Sequence, residues 1–314
     1  MRRLLLLVGV VGVATSLASW LGWRYSTLYP PPHAGEGQEM GMFQMPLPEE
    51  GKVLSGTYVN DYFDLSYPLP EGWTEGLQGP DPSDTGYYVL RELIPKSELP
   101  ATIMIAAQDM FFASKSPPPS PPSQAGEGRM GIGEMVRDFR QAMSEVDGMT
   151  IDREPTEVKV ADRLLYRVDF SGVGLYRATF TTEIRCHAVS FNLTARDPQL
   201  LADLASGVDK LSAARKRDSG SAVPLCIENY AVPENLVRRI EPVPVGPKFM
   251  PIPVRVIVDT EGGVKHIHVI RATDGQRKSI EDALRQWKFK PYRMNGQAME
   301  IETGLVFRFT VAER

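Results

Sequence analysis

Cysteine is almost missing: Cys186 and Cys226 are the only two in 314 residues, too few for a cysteine-rich zinc scaffold or a dense disulfide framework. An excess of positive charge is missing as well. The 35 Lys and Arg are outnumbered by 39 Asp and Glu, for a net charge of −4. Nucleic-acid binding rests on concentrated positive charge meeting phosphate, so no nucleic-acid partner is expected. No nucleophile elbow, Walker loop, dinucleotide-binding glycine fingerprint or His-Glu zinc helix occurs. The expectation is therefore no enzyme, no catalytic residue, no cofactor and no metal site. Long apolar runs are confined to Leu4–Leu21.

That run is uncharged, follows Arg2 and Arg3, and has Trp20 at its far end with Trp23 and Tyr25 just beyond, suited to the outer interface. As a helix it spans about 27 Å, close to the hydrocarbon thickness of a bilayer. With two arginines before it and one, Arg24, after it, the N-terminus stays inside and the remainder is exported. The same run suits a cleaved signal peptide, with Ser16 and Ala18 ahead of a cut. Either way the expected location is the periplasm, with the inner membrane as a partner if the helix is retained.

Composition then divides the chain: 1–25 as signal anchor or signal peptide, 26–50 as a Pro/Gly-rich linker, 51–212 as a first domain, 213–221 as a polar linker and 222–314 as a second domain. Such linkers cannot bury enough surface to fold. The segment 116–131, SPPPSPPSQAGEGRMG, has strand-like sequence on both sides and reads as an exposed loop within the first domain.

In that domain, alternating aromatic and polar residues through Tyr58, Tyr62–Leu65 and Tyr67 suggest strands that turn at Pro68–Gly72. Further strands are expected at Tyr87–Leu93, Ala101–Gln108, Thr156–Val160, Leu164–Ser171, Gly174–Arg185 and His187–Ala195. Ile132, Met135, Val136, Phe139, Met143 and Val146 fall on one face of a helix that should cover a sheet. A second helix is expected from Pro198 to Leu211, capped by Asp197. Strands, helix, strands, helix make an antiparallel α+β arrangement. The segment FDLSYPLPEGW (63–73) resembles the start of PsbP-like domains, which implies a binding or assembly module without shared catalytic apparatus.

The last ninety residues carry the clearest grammar. From Pro253, two β-branched runs flank Asp259–Gly263, a hairpin signal, with Val254, Val256 and Val258 on one face. KSIEDALRQWKF (278–289) places Ile280, Ala283, Leu284 and Trp287 along one side of a short helix. A turn follows at Asn295-Gly296, then a strand from Glu300 to Val311. The expected fold is a three-stranded antiparallel sheet with a packed helix. Gly263-Val264, Val269, Ala283-Leu284, Trp287-Lys288-Phe289, Pro291, Gly296 and the final alternating strand together resemble the C-terminal domain of TonB-family energy transducers. The apolar N-terminal run and Pro-rich spacer fit that family's layout, although Leu4–Leu21 lacks the His that faces its proton-driven motor.

The resemblance implies a membrane-anchored periplasmic protein that binds an outer-membrane receptor peptide, or another envelope protein, by strand addition, with energy-coupled transport as one outcome and an envelope scaffold without energy transduction as the alternative. Strand addition needs an edge with unpaired N–H and C=O groups. The candidate partner-binding residues are Glu300, Ile301, Glu302, Thr303, Gly304, Leu305, Val306 and Phe307, unless a loop or a second copy in a homodimer covers them. Cys186 and Cys226 are expected to form one disulfide clamping the two domains; closing a 40-residue loop stabilises by about 4 kcal/mol on the chain-entropy model. His266 and His268 lie on one strand face, where they could hold a metal with Asp274 or simply be satisfied locally. His33 and His187 carry no spacing signal.

Overall fold

The computed structural model describes residues 45–113, 131–214, 223–246 and 251–309. The expected N-terminal helix, residues 26–44 of the 26–50 linker, the 116–131 loop up to Met130, and most of 213–221 lie outside the described residues; the linker's last residues are ordered, with Pro48–Glu50 in a short turn and Pro48 buried. Among the described residues no helix is long and apolar enough to cross a membrane.

The fold is α+β, with mostly antiparallel sheets and few helices. A small sheet of β1 (Lys52–Leu54), β2 (Thr57–Asn60) and β3 (Leu65–Pro68) precedes a seven-stranded antiparallel sheet. The larger sheet runs in the order β4 (Trp73–Glu75), β5 (Tyr87–Pro95), β6 (Ala101–Asp109), β10 (His187–Ala195), β9 (Leu175–Ile184), β8 (Arg163–Gly172), β7 (Met149–Val160). Helix α1 (Ile132–Ser144) lays its apolar stripe over β7 to β9, where Phe139 meets Phe170 edge-on at 5.8 Å. Helix α2 (Pro198–Gly207) starts at Asp197, whose carboxylate accepts the Leu200 N–H at 2.9 Å, and packs over β9 and β10. Leu201, Leu204 and Ala205 of α2 join Tyr58, Tyr67, Leu165 and Phe191 in one core. Leu165 and Phe170 sit at odd and even positions of β8, so the two helices cover opposite faces of the sheet.

A second core gathers around a four-stranded sheet ordered β11 (Leu225–Cys226), β18 (Ile301–Phe307), β13 (Ile252–Val258), β14 (Val264–Val269). The three expected strands are present, and β11 is an addition, pairing parallel to β18 through Leu225↔Ile301 and Cys226↔Glu302. The β13–β14 turn is held by the Asp259 carboxylate, which accepts the Glu261 and Gly263 N–H groups at 2.9 and 2.8 Å, while Gly262 takes φ +87°. Two-residue strands β16 (Arg293–Met294) and β17 (Gln297–Ala298) flank the turn at Asn295-Gly296, both with positive φ.

The helix differs from expectation at both ends. Helix α3 spans Asp274–Leu284 and begins in a capping box in which Thr273 and Gln276 bond reciprocally, so its first turn lies ahead of Lys278. Trp287 falls beyond its end. There it is buried in the second core, beside the short strand β15 (Lys288–Phe289), which pairs with β12 (Leu236–Arg238), and its indole Nε1–H donates to Ile240 O at 2.7 Å.

All seven residues of β13 are buried. Val254, Val256 and Val258 face the core under α3, and the alternate residues Arg255 and Ile257 face the first unit. A strand buried on both faces has no solvent side, so the small sheet is sandwiched between its own helix and the seven-stranded unit.

Candidate partner-binding edge

The even and odd residues of β18 have different surroundings. Ile301, Leu305 and Phe307 enter the second core, and Thr303 is fully buried with its hydroxyl accepting the Tyr230 N–H at 3.3 Å. Glu302, Gly304 and Val306 point the other way. A Cβ on Gly304 would lie 2.7 Å from Phe111 Cβ and 3.0 Å from Phe112 Cζ, so glycine here permits close approach of the two units. Val306 is 52% exposed and is the one of the eight candidate residues to present a large apolar side chain to solvent.

The backbone edge is half occupied. β13 pairs along the full length of β18, from Val258↔Ile301 to Ile252↔Phe307. On the other side β11 covers the beginning: Leu225 N–H donates to Glu300 O at 2.9 Å and Ile227 N–H to Glu302 O at 3.0 Å. Among the described residues no strand pairs with Gly304–Phe307 on that side. The expectation of an outermost strand open from Glu300 is therefore corrected. The strand is internal at Ile301–Glu302, because β11 fills the edge there, and its open part is Gly304–Phe307.

Behind this edge lies a polar seam that the sequence reading missed. Strands β9 and β10 are joined by Arg185-Cys186 alone, both left-handed with φ 49° and 58°. Two-residue hairpin links favour Asn and Gly, which adopt positive φ cheaply. Here neither residue is of that kind, and both side chains engage the second unit. Cys186 bonds to Cys226, with Cα atoms 5.8 Å apart. The Arg185 guanidinium stacks 4.0 Å over the Tyr62 ring and approaches Glu302 Oε2 at 3.6 Å.

At the centre is Arg255, 2% exposed. It contacts Asp109 Oδ2 at 2.7 Å and Glu302 Oε1 at 3.2 Å, donates to Arg185 O at 3.0 Å and lies 4.7 Å over the Phe111 ring. Tyr62 donates its hydroxyl to Glu302 Oε1 at 3.2 Å. Burial works against the Arg255 charge, but Asp109 and Glu302 outweigh it and hold the group well above its ordinary value. Burial pushes the Asp109 carboxyl up while Arg255 opposes that rise; beside a guanidinium that keeps its proton, the carboxylate is the form the contact requires.

His187 is fully buried, with its pKa driven well below the ordinary value by burial and then by the Arg255 charge. Its Nδ1 lies 2.7 Å from Arg185 O, a group that only accepts, so the proton sits on Nδ1. Nε2 is left as the acceptor facing Arg255 at 3.4 Å. His268 points elsewhere than Asp274: its Nε2 lies 3.4 Å from Glu49 Oε1. Among the described residues no group of three or more His, Cys, Asp or Glu converges as metal ligands.

The seam residues are scattered across the chain, and one signal could have exposed them. Arg255 interrupts the apolar run IPVRVIV at a position whose face-mate, Ile257, is also apolar.

No protein-family model matches the chain, and no curated protein matches it. Among solved structures, the TonB C-terminal domain of Pseudomonas aeruginosa is similar at 17% identity over 25% of this chain and 87% of that one, with a TM-score of 0.22. Cyanobacterial PsbP from Synechocystis sp. PCC 6803 is similar at 12% identity over 57% and 98%, TM-score 0.31. LpqN, described as involved in cell envelope biogenesis of Mycobacterium tuberculosis, is similar at 12% identity over 47% and 82%, TM-score 0.32. All three are distant.

Proposed function

We propose that this chain is a cell-envelope protein that binds an extended segment of another envelope protein along the open edge of β18. The observation that supports this most directly is the half-covered strand: Gly304–Phe307 pairs with β13 on one side and with no described strand on the other. An unpaired strand edge is a ready template for main-chain hydrogen bonding. Five of the eight candidate side chains, Ile301, Glu302, Thr303, Leu305 and Phe307, are engaged inside the molecule or at its seam, so affinity would come from main-chain groups around Gly304 and Val306. Selectivity would come from what lies against Val306.

Binding without energy transduction is the variant favoured here. The small sheet is joined to the first unit by a disulfide and a buried ion cluster, which suits a fixed platform, and the apolar run Leu4–Leu21 has no His.

The test is in-cell photo-crosslinking of the full chain with a photoreactive residue at exposed Arg308, with and without Val306→Pro. Proline is tolerated at an edge position whose N–H points away from the sheet, and it removes one donor from that edge. Loss of a discrete crosslinked partner in the proline variant, at an unchanged unfolding midpoint, is the expected result. Capture that survives the proline overturns the reading.

A further inference from the structure

The β11 strand occupies the place where an added strand would begin. It is two residues long, well below an ordinary strand, and makes two end bonds to the β18 edge, at Glu300 O and Glu302 O. Leu225 and Ile227 rest half-buried against the second core rather than inside it. The residue between them, Cys226, is covalently fixed to the hairpin tip at Cys186. A strand this short is anchored on either side: by the disulfide at Cys226, and four residues on by buried Tyr230, whose N–H bonds Thr303 Oγ1 at 3.3 Å and whose hydroxyl bonds Lys290 O at 2.7 Å.

We propose that β11 is a built-in competitor for the partner strand, and that the Cys186–Cys226 disulfide is the latch that keeps it on the edge. With the disulfide closed, the acceptor edge is Gly304–Phe307. With it open, β11 leaves and the edge extends back through Glu300–Thr303, so the redox state of the compartment sets the length of partner strand accepted. This inference deepens the strand-addition reading and rests on it.

The chemistry is thiol–disulfide exchange with a dithiol reductant. A reductant thiolate attacks Sγ of Cys226, the less buried of the two residues. The S–S bond breaks and Cys186 leaves as a thiolate that takes up a proton. The reductant's second thiolate then resolves the mixed disulfide and releases Cys226, which is also protonated. Two electrons and two protons end on the protein, and the reductant ends as its own disulfide.

The experiment is amide hydrogen exchange on the full chain, followed in segments covering 225–227, 252–269 and 300–309. It compares oxidised protein, protein treated with dithiothreitol, and the Cys186→Ser/Cys226→Ser variant. Opening the disulfide should accelerate exchange at least tenfold at 225–227 and 300–303 while 252–269 stays protected. A further variant, Ile227→Pro, keeps the disulfide but removes the N–H that bonds Glu302 O, and should accelerate 300–303 without reductant. Unchanged exchange at 225–227 on reduction overturns the latch. So does a uniform rise across 252–309 together with an unresponsive Ile227→Pro variant, which would mean that the disulfide only stabilises the whole unit. Crosslinking from Arg308 separates the two ideas. Proline-sensitive capture with an unmoved β11 retains strand addition and removes the latch, whereas a released β11 without capture retains the latch geometry and removes strand addition.

Discussion

Replacing Arg255 with Met should be among the most damaging single changes in this molecule, and the structure sets its size. The guanidinium is the direct cationic partner of Asp109, at 2.7 Å, and one of two approaching Glu302, at 3.2 Å; both carboxylates are buried. An exposed ion pair is worth about 0–1 kcal/mol. Removing one member of a buried pair costs about 3–5 kcal/mol, because it strands the opposite charge in a poor dielectric. At roughly 2 kcal/mol per M of urea this moves the midpoint down by about 2 M. Each core carries its own tryptophan, Trp73 in the first and Trp287 in the second, so fluorescence of single-tryptophan versions reports the units separately. Arg255→Met should let the Trp287 transition run ahead of the Trp73 transition. Adding Asp109→Asn and Glu302→Gln, which remove the stranded charges, should recover part of the loss. If Arg255→Met alone costs less than about 1 kcal/mol, the seam behaves as a solvated surface pair and the reasoning fails.

Gly304→Ala forces a Cβ against Phe111 and Phe112 and should cost about 1–3 kcal/mol through overpacking; an unchanged urea midpoint would show that the two units do not approach as closely as described. His187 should impose a pH dependence. Its folded pKa lies below its ordinary 6.5, so the unfolded chain binds the proton first, and the contribution is full above the unfolded value and lost as pH falls below it. The slope should reach about 1.4 kcal/mol per pH unit, read from urea midpoints between pH 7.5 and 5, and His187→Gln should flatten it; the same slope in both proteins assigns the effect to other groups. Trp287→Phe removes the indole donor to Ile240 O at a cost of about 1 kcal/mol, and faster proteolysis near Ile240 is the readout.

Wherever one element carries one period, the sequence was legible. The helix stripe from Ile132 to Met143, the Asp197 cap, the Asn295-Gly296 turn and most strands between Tyr87 and Ala195 follow from spacing, while β7 was read only from Thr156 although it begins at Met149. The α3 start was also written in the chain, as Thr273 and Gln276 three apart ahead of an apolar face. By contrast, β11 is too short for any alternation to register, and it shows only once β18 lies beside it. The seam is less legible still, because Asp109, the Arg185–His187 corner, Arg255 and Glu302 come from distant stretches of the chain with no common spacing.

Yet β13 held a clue of a different kind. A strand with one face in solvent alternates apolar and polar residues, and IPVRVIV does not: its second face carries Arg255 but also Ile257, which is 3% exposed. One charge beside an apolar residue on that face means that the face is covered and that the covering surface brings a countercharge. The strand alone thus implies a docked, acid-bearing neighbour, and the hairpin tip at Arg185-Cys186 with Asp109 beside it supplies one. What no single strand can specify is which part of the chain that neighbour is, since the answer lies in a contact between Arg255 and Asp109, far apart in sequence and joined only by folding.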